Sequence, residues 1–246
     1  MLTALFADVH ANREALEACL ADARREGAER VIFLGDLVGY GPDPAWVVEQ
    51  VATMAEAGAL AVQGNHDAAV IGQTDTMTAV ARAAIAWTRD QLGDSHRRFL
   101  AGLPVDLHEA DRLYVHASAC DPTDWAYVLG PREAFQSFRA TRQRLTFCGH
   151  THIPALFNES ASSLPQQHVP VDGRPMPLLP QRRWLAVLGS VGQPRDHNPA
   201  ACYGLLDEQR SRLTYVRVPY DADATARKIV AAGLPRSLAI RVATGS

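Results

Sequence analysis

Three stretches near the start of the chain decide the fold: LTALFADVH at 2–10, VIFLGD at 31–36 and AVQGNHD at 61–67. Each is a short apolar run that ends on polar groups. A run without polar alternation reads as a strand buried on both faces, the kind a parallel sheet contains. Strands are expected at Leu2–Val9, Arg30–Leu34 and Ala59–Gln63. Between the first two, Asn12 can cap a helix from Arg13 to about Glu26, with Ala15, Leu16, Cys19, Leu20 and Ala23 on one stripe and Gly27 as its stop. A turn holding Gly39, Gly41, Pro42 and Pro44 leads into a second helix that reaches about Ala57. The β-α-β-α-β order predicts a parallel sheet with right-handed crossovers.

Farther along, 75–103 reads as a helical cap segment. Val80, Ala84, Trp87 and Leu92 recur at helical spacing, Gly93 breaks the helix, and Ser95 is a candidate cap for a short second one. Strands follow at 106–110 and 112–118, then a helix from Pro131 to about Thr141 and a strand at Thr146–Gly149. Beyond Pro154 the texture changes to strands and turns, with candidates at Pro154–Asn158, Trp184–Leu188, Tyr203–Asp207 and Arg212–Val218. A proline-rich excursion over 160–183 has Asp172-Gly173 as its expected hairpin tip. A late helix spans Asp221–Ala232, ended by Gly233 and Pro235. No serine- or glycine-rich linker divides the chain, so residues 1–246 are expected to form a single domain with two sheets.

Composition narrows the class. The 246 residues are 47% hydrophobic and 21% charged, which is globular. Lys plus Arg is 24 and Asp plus Glu is 27, a net charge of −3, so no dedicated nucleic-acid surface is evident. The four cysteines, Cys19, Cys120, Cys148 and Cys202, are far apart and fit a reducing compartment. The first residues carry no basic leader, and no apolar run approaches the ~20 residues of a membrane helix. The expectation is a soluble cytoplasmic protein that does not enter a membrane, with a homo-oligomer left open.

Nine histidines are the unusual entry, and five of them fall at strand exits. Asp8 and His10 end the first strand, two apart and on the same side. Asp36 ends the second, and Asn65-His66-Asp67 follows the third. His116 ends a later strand, and His150-Thr151-His152 ends the next. Polar groups just past the carboxyl ends of strands are where open α/β sheets build sites. Taken singly, each has a bland reading, such as a turn aspartate, a helix-capping Asp67 or a core histidine. Taken as a set, two Asp, one Asn and four His form a mixed oxygen and nitrogen donor set. It suits Mn²⁺, Fe, Zn²⁺ or Co²⁺ better than Ca²⁺ and is too large for one tetrahedral ion. His96, His108 and His168 lie in segments with no site signal, and His197 is undecided.

In chain order, Asp8-x-His10, Gly35-Asp36, Gly64-Asn65-His66-Asp67, His116 and Gly149-His150-Thr151-His152 resemble the five motifs of the calcineurin-like metallophosphoesterases. The likeness covers residues 2–152. Leu188-Gly189-Ser190-Val191-Gly192-Gln193-Pro194-Arg195 resembles a later loop of the small prokaryotic branch. The resemblance implies an α/β fold, a four-layer α/β/β/α sandwich of two mixed sheets with the site at one rim. It implies two divalent ions, Mn²⁺ first, with Fe, Zn²⁺, Co²⁺ or Ni²⁺ as alternatives. Asp8, His10, Asp36 and His152 would hold one, and Asp36, Asn65, His116 and His150 the other. A hydroxide between the ions would attack a phosphoester, His66 would protonate the leaving group, and Asp67 would orient His66. Two such ions make the site positive although the whole chain is negative.

Departures from the family bear on the substrate. The protein phosphatases and diadenosine tetraphosphate hydrolases carry an arginine soon after the Gly-Asp motif and a glutamate after Asn-His. Here Leu37-Val38-Gly39-Tyr40-Gly41-Pro42 has no arginine, and Asp67 follows His66. Arg195 is a candidate replacement, with a solvated surface arginine as its alternative. Tyr40 is a candidate substrate contact or a turn-packing residue, and Asn12 a phosphate contact or a helix cap. The expected pocket draws on 75–103 and on loops 40–44, 119–130 and 190–198. The expectation is a phosphodiesterase acting on a small or nucleotide-like phosphoester. A phosphomonoesterase or protein phosphatase, a dinucleoside polyphosphate hydrolase, and a non-catalytic metal-binding scaffold are its alternatives.

Overall fold

The computed structural model describes residues 1–72, 77–159 and 164–246. The chain opens with strand β1 (Leu2–Phe6), helix α1 (Arg13–Arg25), β2 (Arg30–Phe33), α2 (Pro44–Glu56) and β3 (Leu60–Ala61). Short helices α3 (Asn65–Ile71), α4 (Ala79–Gln91) and α5 (Asp94–Ala101) follow. Then come β4 (Asp106–Glu109), β5 (Arg112–Val115), α6 (Pro131–Ala140), β6 (Leu145–Cys148), β7 (Ala155–Asn158), β8 (Gln166–His168) and β9 (Met176–Pro177). The chain ends with β10 (Trp184–Val187), β11 (Ala201–Asp207), β12 (Arg212–Val218), α7 (Ala222–Ala231) and α8 (Arg236–Thr244).

Two six-stranded sheets result, ordered β3-β2-β1-β11-β12-β9 and β4-β5-β6-β10-β7-β8. The pairs β1–β2 and β2–β3 are parallel, as the alternating order requires, and β11 then joins β1 antiparallel. In the second sheet β5–β6 and β6–β10 are parallel and the outer pairs antiparallel. Side-chain alternation sorts the layers. Ala4 and Phe6 of β1 face the helices, packing with Leu16, Cys19 and Leu20 of α1 and Val47 and Val51 of α2. Leu5 and Ala7 face the other way, into a core shared with Phe147, Leu156, Trp184 and Ala186 of the second sheet. Leu185 and Val187 of β10 face outward to Ala134 and Phe138 of α6. The order of layers is therefore α/β/β/α. Burying each such Leu, Val or Phe contributes about 1.5–3 kcal/mol, and both sheets gain on two faces.

The expected strands and helices are present, with several corrections. The strand expected to reach Val9 stops at Phe6, because the backbone turns sharply from Asp8 onward. Gly93, not Ser95, occupies the cap position of α5, and its amide donates to His96 Nδ1 at 3.3 Å. Asp172-Gly173 is not a hairpin tip. The strands flanking it lie in different sheets, β8 beside β7 and β9 beside β12, so this turn carries the chain across the edge of the sandwich. Helix α8 was not foreseen. The chain turns at Gly233, φ 72, after α7 has ended, and Pro235 sets the entry of α8 at φ −52. Residues 75 and 76 of the expected cap and 160–163 of the expected excursion lie outside the described residues. No helix among the described residues is long and apolar enough to cross a membrane.

Candidate metal centre

The site sits where β1, β2, β3, β5 and β6 all end. Its polar residues hang on strained turns: Asp8, His10, Asp36, His150 and His152 have φ of 55, 48, 52, 63 and 61°. A non-glycine residue in this left-handed region costs about 1–2 kcal/mol. Hydrogen bonds between neighbouring turns hold it there. Asp8 N donates to Gly35 O at 3.1 Å, His10 N to Asp36 O at 2.9 Å and Ala11 N to Leu37 O at 2.8 Å. The loops also approach too closely for a side chain at Gly64, where a Cβ would lie 2.2 Å from the Asp36 backbone nitrogen. Strain concentrated on the chemistry-bearing residues is typical of functional sites.

Two donor groups result, sharing Asp36. In the first, His10 Nε2 lies 3.1 Å from His152 Nε2, 3.6 Å from Asp36 Oδ2 and 4.0 Å from Asp8 Oδ1. His152 Nε2 lies 3.4 Å from Asp8 Oδ1. In the second, His116 Nε2 lies 3.1 Å from Asn65 Oδ1, 3.1 Å from His150 Nδ1 and 3.4 Å from Asp36 Oδ2. All seven residues that the sequence reading named as ligands come together here. Asp8, His10, Asp36, His116 and His152 are each 2% exposed or less.

The proton positions test whether cations fit. His10 Nδ1 faces Val38 O at 3.2 Å and His152 Nδ1 faces Gln193 O at 2.6 Å. A carbonyl only accepts, so both Nδ1 atoms carry hydrogen. Burial holds both rings well below the ordinary imidazole value, so they are neutral. Their Nε2 atoms therefore present lone pairs to each other at 3.1 Å, with carboxylate oxygens on the same side. Such an arrangement is repulsive until a cation sits among the donors, and the backbone carbonyls are the partners that orient metal-binding imidazoles. In the other group His116 Nδ1 donates to Leu34 O at 2.8 Å, which aims its Nε2 inward. The donors fit divalent ions of the mixed oxygen and nitrogen class.

Burial pushes Asp8 up to about 8, with the Asp36 charge adding to it. Burial acts to lower His116, but the Asp36 carboxylate overrides it and holds the ring up to about 9. Burial acts to raise Asp36, but the charged His116 ring outweighs it and holds the carboxyl well below the usual range.

A cavity of about 420 Å³ opens over these donors. Asp36, Asn65, His66, His150 and His152 line its floor, and Tyr40 and Arg195 one wall. Arg195 places its guanidinium carbon 5.8 Å from the Tyr40 ring centre and donates to Gln193 Oε1 at 3.1 Å. His66 stands 4.4 Å from Tyr40, ring centre to ring centre, and its Nδ1 is buried with no hydrogen-bond partner among the described residues. Burial lowers His66 to about 4. His197 is exposed and does not line the cavity.

Two expectations are corrected. Asp67 does not orient the His66 ring. Its oxygens accept from the amides of Leu37 at 2.9 Å, Val38 at 3.2 Å and Gly64 at 2.9 Å, so it clamps the two loops that carry Asp36 and Asn65. It can do so because α3 begins on Asn65 itself, which puts Asp67 in the first turn, pointing back. Asn12 does not reach the cavity. It is fully buried, caps α1 through Ala15 N at 3.1 Å, donates to Gly192 O at 2.9 Å and to Tyr220 Oη at 3.1 Å, and accepts from Thr225 at 3.1 Å.

The rest of the lining comes from two of the segments expected to build the pocket, the loop 119–130 and the helical segment 75–103. It consists of Asp124, Trp125 and Tyr127 after β5, and of Met77, Thr78 and Ala81 at the start of α4, where Met77 and Ala81 pack with Tyr40. Tyr127 stacks on His150 with ring centres 4.0 Å apart, while 45% of the tyrosine stays exposed. Two aromatics in a loop rich in turn residues were the available signal.

Comparison with known proteins agrees with this fold. A family model described as the calcineurin-like phosphoesterase superfamily domain matches residues 1–211. An uncharacterized protein of Methanocaldococcus jannaschii is 33% identical over 250 residues, covering 99% of this chain and 98% of its own length. The crystal structure of a metallophosphoesterase from Sphaerobacter thermophilus superposes with a TM-score of 0.90 at 40% identity, over 100% of this chain and 99% of that one. A hypothetical protein from Pyrococcus horikoshii OT3 shares the fold, with a TM-score of 0.79 at 20% identity over 100% and 98% of the two chains.

Proposed function

The chain belongs to the calcineurin-like phosphoesterase superfamily, and from that premise we propose that it hydrolyses phosphodiesters of small molecules with two divalent ions. Asp8, His10, Asp36 and His152 would hold one ion, and Asp36, Asn65, His116 and His150 the other. When bound, such ions lower the pKa of water and offset charge on phosphate oxygens. The observation that carries the reading is the set of buried lone pairs converging beneath a cavity that also presents His66 and Arg195.

The chain's own residues supply the rest. Arg195 grips a non-bridging phosphate oxygen, held in place by Tyr40 and Gln193. His66 is neutral in the free site and gains proton affinity once an anion lies beside it. It then delivers that proton to the departing alkoxide. Asp67 keeps His66 in reach by fixing the loop on which it stands. A single arginine in a cavity also lined by Tyr40, Trp125 and Tyr127 supports a diester, which carries one charge and a second organic group, over a monoester dianion.

The test is a hydrolysis screen on the Mn²⁺-loaded protein, with bis(p-nitrophenyl) phosphate, p-nitrophenyl phosphate, cyclic nucleotides and a dinucleoside polyphosphate. The diester should turn over fastest. Comparable or faster release from the monoester overturns the diester assignment. Metal binding with no hydrolysis of any substrate restores the scaffold alternative.

A further inference from the structure

The cavity lining gathers the candidate metal ligands and Arg195, which together receive the phosphate. The same lining includes a carboxylate, Asp124, in one loop with two aromatic rings: Trp125 lies 5.8 Å from His116 and Tyr127 4.0 Å from His150, ring centre to ring centre. No arginine, lysine or histidine of the described residues lies within 4.0 Å of that carboxylate, and no described group donates a hydrogen bond to it. The loop is held in shape without it. Asp121 supplies the turn, accepting from Asp124 N at 3.0 Å and from Thr123 at 2.8 Å, and Trp125 adopts φ 54. Tyr127 rests one face on His150.

An unpaired carboxylate is a poor neighbour for a substrate whose reacting group is itself anionic. It repels any second negative group and attracts a positive one. Aromatic rings beside it favour the same outcome, because the faces of Trp and Tyr attract cations through their quadrupole. A flat uncharged group would use the rings but leave the carboxylate without a partner.

We infer that Asp124, with Trp125 and Tyr127, forms a subsite for a positively charged ester group, so that the substrate is a zwitterionic phosphodiester carrying an ammonium or quaternary ammonium group. This rests on the phosphodiesterase reading above and names the substrate class of that site.

The experiment uses three p-nitrophenyl diesters with one leaving group and different retained groups: p-nitrophenyl phosphorylcholine, ethyl p-nitrophenyl phosphate and 2-carboxyethyl p-nitrophenyl phosphate. In each, water adds to phosphorus, p-nitrophenolate departs, and the choline, ethyl or carboxyethyl phosphate monoester remains. With the Mn²⁺-loaded protein at low salt, kcat/KM should be about fivefold or more higher for the choline ester than for the ethyl ester. It should be lowest for the carboxyethyl ester. In Asp124→Asn the choline-to-ethyl ratio should fall towards one, and added salt should narrow the ratio in the unaltered protein. Asp124 is exposed, so the variant is expected to fold. Equal rates for the three esters, or a choline preference unchanged in Asp124→Asn, overturn the inference alone. Absence of turnover for all three removes the phosphodiesterase reading and the inference with it.

Discussion

Replacing Asn12 with alanine separates the two roles that the sequence left open for it. Four hydrogen bonds meet at this fully buried side chain, linking α1 to Gly192, Tyr220 and Thr225. Alanine removes the cap of α1, worth about 1 kcal/mol. It also strands Gly192 O, a buried acceptor that costs about 1–3 kcal/mol when left unpaired. Thr225 loses less, because its hydroxyl also reaches Glu14 at 3.0 Å. The sum is a loss of about 3 kcal/mol, or roughly 6–12 °C in Tm for a chain of this length. Thermal unfolding of the metal-loaded protein reads it directly, with KM for a diester measured alongside. Asn12→Ser, which keeps a capping oxygen, should recover about 1 kcal/mol. A Tm unchanged within about 2 °C together with a tenfold rise in KM would refute the structural role and return Asn12 to the substrate.

Three other outcomes are expected. His66→Ala should keep both metals while kcat falls at least ~10²-fold on a poor leaving group, and unchanged turnover would remove His66 as the acid. Gly245→Ala should raise KM several-fold. Gly245 ends α8 at φ +70, its carbonyl accepts from His197 N at 2.7 Å, and a Cβ there would meet Asn198 backbone atoms at 2.6–2.7 Å, displacing the loop that carries Arg195. An unaltered KM would show that the chain end does not position that loop. Metal loading should release protons, because Asp8 and His116 are held up to about 8 and about 9 in the metal-free site. Both values lie above those of the free side chains, so at pH 6–8 a cation must displace those protons, and affinity should rise about tenfold per pH unit for each one. Calorimetry in buffers of different ionisation enthalpy counts them, and a pH-independent affinity would contradict the assignment.

Much of the site was legible because each donor directly follows a strand whose apolar run is itself unmistakable. Asp8, Asp36, Asn65, His116 and His150 could be placed at one edge once the parallel order was read. What a neighbour does with a polar atom was not legible. Asp67 looks like a partner for the adjacent His66, yet its oxygens face amides at Leu37 and Val38, thirty residues away in sequence. Asn12 lies two residues after His10 but is turned away by the left-handed step at His10 and Ala11. Asp172-Gly173 has the composition of a hairpin tip, and only the pairing of β8 and β9 with different sheets shows the crossing. Asp124, Trp125 and Tyr127 carry no spacing signal, because a loop wall obeys no period.

Titration of the metal-free chain with Mn²⁺, following both bound metal and diester hydrolysis, tests the central claim most directly. The account expects two ions per chain, hydrolysis that saturates at two equivalents, and its loss on chelation. Full activity in the metal-free chain, or saturation at a single bound ion, would contradict it.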